Sequence, residues 1–267
     1  MPEENYDHSS DPNFVEYYAR ESQSPETTQR FRRIRDRAVA LLAESGRTGL
    51  LDVTDIGCGA GTQALLWSDL GHRVSALDVN EPLVTIARAR AAERGLSIRF
   101  DVGTATALPY ADASADAVLL PELLEHVAEW QSCLNEAVRV LRPGGLLYLS
   151  TTNWLCPRQQ EFTLPLYSWY PGIVKRWCER KAATSHPHWA NYARYPAVNW
   201  FSYFGLSSWL EGRGFRTLDR FDMLARQALP GPAGTIVAVV RSLPPIRVAG
   251  HVLTEGTTVW ALKRPPG

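Results

Sequence analysis

Two groups of residues have the types and spacing to do chemistry. The first runs from Asp55 through Gly57, Gly59 and Gly61 to Asp78, twenty-one residues past Gly57. An apolar run over 51–56 carries Asp55 into a glycine-rich turn, and a second run over 74–77 ends in Asp78. Glycines let the chain bend sharply and let a ligand approach bare backbone. A carboxylate at the end of the next strand has lone pairs enough to accept both hydroxyl protons of a ribose. That is the layout a buried mononucleotide site requires. The second group is Glu122, Glu125 and His126. If a helix starts at Glu122, positions i, i+3 and i+4 share one face, and two carboxylates with one imidazole suit magnesium. Two other readings stay open for the same residues. Acids at a helix start are favoured by the helix dipole, and His126 has the chemistry of a general base toward a hydroxyl nucleophile.

The glycine spacing narrows the ligand. A dinucleotide fingerprint needs a small residue where Thr62 stands, which disfavours NAD, and the lysine of a phosphate-binding NTPase loop is missing. Asp55 lies two residues before the first glycine, where a carboxylate reaches the ammonium of an amino-acid tail directly or through water.

These residues need a frame. Strands are expected over 51–56, 74–78, 97–102, 115–120 and 146–150, with helices over 62–70, 81–94 and from about 122 to 141, interrupted near Glu129. Gly71 and Gly95 close the first two helices, and Glu81-Pro82 opens the second. Repeated strand–helix–strand order predicts a parallel sheet with helices on both faces. Before it, residues 1–12 read as a frayed end and 14–43 as one or two amphipathic helices rich in arginine. After it, residues 153–204 hold 13 of the 27 aromatic residues, a density that calls for a pocket, a lid or a partner. A helix over 206–212, a strand over 215–221, an ambiguous apolar stretch over 235–253 and a last strand over 257–262 complete the chain.

Length and composition set limits. The 267 residues suffice for one large α/β domain with a modest insertion. Lys plus Arg and Asp plus Glu number 28 each, so no overall charge draws the protein to nucleic acid. The opening Met-Pro-Glu-Glu has no apolar run, and uncharged stretches such as 143–157 are too short and polar to span a bilayer, which predicts a soluble protein. Four scattered cysteines, Cys58, Cys133, Cys156 and Cys178, suggest a reducing cytoplasm rather than a disulfide framework or a zinc site.

Asp55-Ile56-Gly57-Cys58-Gly59-Ala60-Gly61, Asp78, Leu108-Pro109, Asp116 and Arg142-Pro143-Gly144-Gly145 together resemble the class I S-adenosylmethionine-dependent methyltransferases, over about 1–152 and the last two strands. The aromatic density marks an aromatic-rich insertion after strand five, and the resemblance implies a Rossmann-like, seven-stranded, mostly parallel sheet with an antiparallel last strand. It divides the chain into a helical cap over 1–50, a cofactor-binding core over 51–152, a lid or substrate insertion over 153–205, and a closing part over 206–267. It implies that Gly57, Cys58, Gly59 and Gly61 approach the methionine and ribose, that Asp78 with Val79 takes the ribose, and that Thr104 and Ala105 flank the adenine. Here Gly103 precedes Thr104, where many members place an aspartate. An arginine ahead of the first strand, Arg37 or else Arg33, is implied as partner of the cofactor's carboxylate.

Within that class, Glu122-x-x-Glu125-His126 resembles the ubiquinone-biosynthesis O-methyltransferases, whose matching positions hold magnesium and whose preceding residue, here Pro121, lies beside S-adenosylmethionine. The pattern also resembles the small-RNA 3′-end 2′-O-methyltransferases, which add a distant histidine. The expected acceptor is a small or lipid-linked hydroxyl, phenolic or quinol-like. The aromatic and basic run over 162–181 is expected to serve as a lid, a homodimer contact or a rest on a lipid surface.

Overall fold

Residues 115–121 read Ala-Asp-Ala-Val-Leu-Leu-Pro, with little of the alternation of a half-exposed strand, and all but the last are buried. Strands covered on both faces read this way, and it marks the centre of a parallel sheet. The computed structural model of the protein describes residues 12–159, 162–190, 197, 199–227 and 231–265. The frayed end expected over 1–12 lies outside the described residues except for Pro12, which opens a helix.

The chain divides into two units. The first comprises Met1–Leu123, Glu129–Tyr148 and Leu262–Gly267, the second Leu124–Ala128 and Leu149–Ala261. In the first unit the order is α1 (Pro12–Glu21), α2 (Pro25–Glu44), β1 (Asp52–Ile56), α3 (Thr62–Ser68), β2 (Arg73–Asp78), α4 (Glu81–Glu93), β3 (Ile98–Val102), β4 (Ala115–Pro121) and α5 (Trp130–Val140). Strand β5 (Leu141–Thr152) begins there and runs into the second unit. The second unit adds α6 (Gly172–Thr184), α7 (Tyr203–Glu211), β6 (Phe215–Leu218), α8 (Arg220–Ala225), α9 (Pro232–Ser242), α10 (Pro244–Val252) and most of β7 (Gly256–Lys263). The seven strands follow the order β3-β2-β1-β4-β5-β7-β6, mostly parallel with β7 antiparallel.

The register explains why the first group of residues converges. Strand β1 pairs in parallel with β2, Asp55 opposite Ala76, and with β4, Asp55 opposite Leu119; β2 pairs with β3, Asp78 opposite Val102. The carboxyl ends of β1, β2 and β3 therefore lie side by side, where open α/β sheets bind ligands. The core beneath them is Val53, Ile56, Ala76, Leu77, Val118 and Leu119, with Leu41, Leu42 and Trp67 from the covering helices.

The amino ends of the same strands are fixed by charge. Asp116 accepts from Arg47, from Arg142 Nη1 at 2.9 Å and from the Asp52 amide at 2.9 Å, and Arg47 also donates to the Pro143 carbonyl. Asp52 accepts from Arg142 at 2.7 Å and from Arg73, whose hydrogen bond holds its carboxyl below the usual range. Asp116 and the Arg142-Pro143-Gly144-Gly145 run thus clamp the amino ends of β1 and β4 to the start of β5.

Several expectations need correction. The helix expected from about 122 does not start there. Glu122 takes φ +52°, a left-handed conformation that breaks helical continuation, and a 3₁₀ turn over Leu124–His126 follows before α5 begins at Trp130. The Arg142–Gly145 segment belongs to β5 instead of turning into it. The ambiguous 235–253 stretch forms α9 and α10, each opened by proline in its first turn. The strand over 215–221 ends at Leu218, because Asp219 caps α8 in a reciprocal box with Asp222.

Candidate active site

In the first unit, the glycine turn and Asp78 form one hydrogen-bonded structure. Asp78 Oδ2 accepts from the Gly59 amide at 2.7 Å and Oδ1 from the Asn80 amide at 2.9 Å. These two bonds orient the group, and a carboxylate is acceptor-only, the chemistry that a ribose diol needs. Gly57, Gly59 and Gly61 all have positive φ. Space also requires Gly61, where a Cβ would stand 2.7 Å from Ala87 Cβ, whereas one on Gly57 would meet only the flexible end of Leu123, at 2.8 Å. Cys58 is buried beneath the turn, and its thiol is pushed up by burial and by Asp78 and Asp55.

Asp55 is fully buried, and neither of its oxygens has a hydrogen-bond partner. Burial and the nearby Asp78 push its pKa up to about 7, against a smaller lowering by the Ala64 amide. An orphaned acid under a glycine turn answers a cation arriving above it. Because Asp55 has no accessible surface, that answer acts through the field or follows a parting of the turn. At the strand ends, Val79 and Val102 expose apolar surface beside the Thr104–Ala105 segment. Thr104 Oγ1 stands 2.8 Å from Thr106 Oγ1 and accepts the Thr106 amide at 3.3 Å, which shapes the short loop. Ribose acceptor, buried counter-charge and apolar flank together fit S-adenosylmethionine.

The expected arginine, Arg37, lies on α2. Arg37 is half-buried, its pKa lowered by burial and by Arg33. Two turns earlier Arg30 comes within 3.8 Å of Glu122, just past the carboxyl end of β4. Glu122 is about half exposed, and Pro121 ends β4.

In the second unit, Glu125 is buried and accepts from Thr151 Oγ1 at 2.7 Å. Asn199 holds the 3₁₀ turn by its carbonyls: its side-chain amide donates to Leu124 at 3.1 Å and Val127 at 2.6 Å, and its backbone amide to Glu125 at 3.1 Å. His126 keeps partial exposure. Without a helix at 122 the i, i+3, i+4 face does not exist. Among the described residues, no three His, Cys, Asp or Glu side chains gather to hold a metal. The geometry therefore gives the magnesium set Glu122, Glu125 and His126 no support.

The aromatic insertion builds a small core of its own. Phe162 stacks on Tyr167 at 4.2 Å between ring centres, and Cys178 and Ala182 of α6 close the cluster with Trp189 and Trp200. His186 and Trp189 lie 4.5 Å apart, ring to ring, at its edge. All four cysteines are free and buried.

Sequence reasoning missed Asn80, Val102, Thr151 and Asn199. Asn80 carried a signal, since Asn-Glu-Pro marks a helix start and its side chain caps α4 at Leu83. Asn199 carried none, because the carbonyls it holds lie more than seventy residues away.

Residues 54–149 match the family model described as methyltransferase domain. Over that stretch, a little more than a third of its length, the chain is similar to methyltransferase domains. A ubiquinone biosynthesis O-methyltransferase from Parvibaculum lavamentivorans is 38% identical to this chain over 99 residues, 37% of this chain and 39% of that protein. The chain spans about two fifths to half the length of the curated relatives it matches. The fold is shared with the YcgJ protein from Bacillus subtilis, with a TM-score of 0.52, 16% identity and coverage of 87% of this chain and 100% of that one. It is shared as well with the [4+2]-cyclase SpnF, with a TM-score of 0.50, 22% identity and coverage of 86% and 81%. That fold does not by itself fix the reaction.

Proposed function

We propose that this chain transfers the methyl group of S-adenosylmethionine to a hydroxyl of a small or lipid-linked acceptor of phenolic or quinol-like character. The observation that carries the reading is Asp78 at the end of β2, oriented by the Gly59 and Asn80 amides beside the glycine turn. The names of the curated relatives favour oxygen as the methylated atom.

The bound cosubstrate supplies an electrophilic methyl on a sulfonium. The chain's residues hold and orient it. Asp78 accepts the ribose hydroxyls, Val79, Thr104 and Ala105 flank the adenine, and Gly57 to Gly61 admit the methionine close to backbone. Asp55 supplies negative charge toward the ammonium, and Arg37 is the assigned partner of the carboxylate. Pro121 borders the cosubstrate, and His126 takes the proton of the acceptor hydroxyl as general base. Methyl transfer needs an in-line nucleophile with water excluded.

The lipid-linked option draws on α6, where Ile173 is 75% and Trp177 47% exposed among Lys175, Arg176, Arg180 and Lys181. Apolar and basic side chains mixed in this way suit the edge of an anionic bilayer. Among the described residues, no helix is long and apolar enough to cross a membrane.

The test is incubation with labelled S-adenosylmethionine and a metabolite extract, read by mass spectrometry, with calorimetric titration of the cosubstrate alongside. Label in a phenolic or quinol product supports the reading. Binding without any labelled product would leave a cofactor-binding partner protein, and absence of binding would refute the site.

A further inference from the structure

Arg90 stands in the last turn of α4, outside every motif discussed above. Its guanidinium donates in three directions. Nη1 reaches the Ala60 carbonyl and Ser22 Oγ, each at 3.0 Å, and Nη2 reaches the Ala19 carbonyl at 2.6 Å. Ala19 lies near the carboxyl end of α1, Ser22 in the corner between α1 and α2, and Ala60 inside the glycine turn. Thr62, the first residue of α3, adds a bond from Oγ1 to the Ser22 carbonyl at 2.8 Å, and Ser22 Oγ donates to the Ala19 carbonyl at 2.8 Å.

The physical logic is that of a half-buried cation held among carbonyls. Burial lowers the Arg90 pKa, with Glu93 acting in the other direction, so the charge persists because its neighbours solvate it. A cation at a helix carboxyl end also meets the negative end of the helix dipole. A planar fork with several donors makes such bonds in fixed directions, which a lysine ammonium does not.

We propose that Arg90 is a positioning residue for the cosubstrate site, joining the α1–α2 corner and the glycine turn into one body. The turn is held at two points one residue apart, the Gly59 amide by Asp78 and the Ala60 carbonyl by Arg90. The first bond aims Asp78, and the second fixes the turn against which Asp78 is aimed. Affinity at the turn therefore depends on the N-terminal helices through Arg90. This inference rests on reading the turn as an S-adenosylmethionine site.

The experiment compares the full chain with R90A, R90K and the double variant S22A/T62V, which removes partner groups and keeps the arginine. S-adenosylmethionine affinity is titrated calorimetrically. Amide exchange is followed without ligand over 19–24 and 58–62. R90A is expected to weaken binding about tenfold or more, the loss expected when bonds to a charged group are removed, and to speed exchange in both segments together. R90K is expected to fall between R90A and the parent, and the double variant to loosen both segments with a smaller loss of affinity. Parental affinity and unchanged exchange over 58–62, with loosening confined to 19–24, would overturn the inference and leave Arg90 an anchor of α1. If R90A does not fold, the double variant decides by the same two readouts. If the parent chain itself does not bind S-adenosylmethionine, the methyltransferase reading fails, and the exchange comparison still decides the role of Arg90.

Discussion

The Gly59 amide donates to Asp78 Oδ2 at 2.7 Å, so the acid that ends β2 is aimed by the glycine turn that ends β1. Asp78→Asn keeps one acceptor oxygen but replaces the other with a donor that faces the Gly59 or Asn80 amide. Bonds to charged groups contribute about 1.5–3 kcal/mol each, so S-adenosylmethionine affinity should fall about a hundredfold by calorimetry, and the lost bond to the turn should lower the melting temperature as well.

Asp55 supplies the pH dependence. Its folded pKa of about 7 lies above that of an unfolded aspartate, so the folded state binds the extra proton. The stability it contributes is full below about pH 4, the unfolded value, and is lost as pH rises through about 7. The ligand-free protein should therefore melt at lower temperature at pH 8 than at pH 5. Asp55→Asn should flatten that slope, and a parallel slope in the variant would contradict the assignment.

At the far end of the sheet, Asp116→Ala removes the acceptor shared by Arg47, Arg142 and the Asp52 amide. Both arginines keep some exposure, so the cost is about 2–3 kcal/mol, below that of breaking a fully buried pair. Denaturant unfolding should register that loss. Cosubstrate affinity per folded molecule should stay at the parental value, since the clamp lies at the amino ends of the strands.

Asn199→Ala leaves the Leu124 and Val127 carbonyls without their side-chain donor. Amide exchange over 124–128 should accelerate, and methyl transfer should slow through kcat with the KM for S-adenosylmethionine unchanged. A change confined to KM would place the effect at the cosubstrate instead of the His126 turn.

Glu122 at φ +52° is a residue in a conformation that favours glycine. Glu122→Gly should therefore raise stability by up to about 1 kcal/mol, less the small share of a half-exposed ion pair with Arg30. Thermal melts of the two proteins at one pH measure the difference.

The sequence by itself determined the parallel core and the meeting of the glycine turn with Asp78. The periodicity around Asp55, Gly57 and Asp78 is local, and strand ends, glycine turns and caps are written within a few residues of one another. The same locality explains its failure at 122–126, where spacing alone suggested a helix face. Only the tertiary structure decided that Glu122 turns left-handed, that Asn199 and Thr151 hold the turn carrying Glu125, and that Arg90 ties α1 to the glycine turn. Those bonds join residues some twenty-six to seventy-five positions apart. Satisfying a buried carbonyl or carboxylate depends on which groups folding brings within about 3 Å, and no spacing in the chain records that.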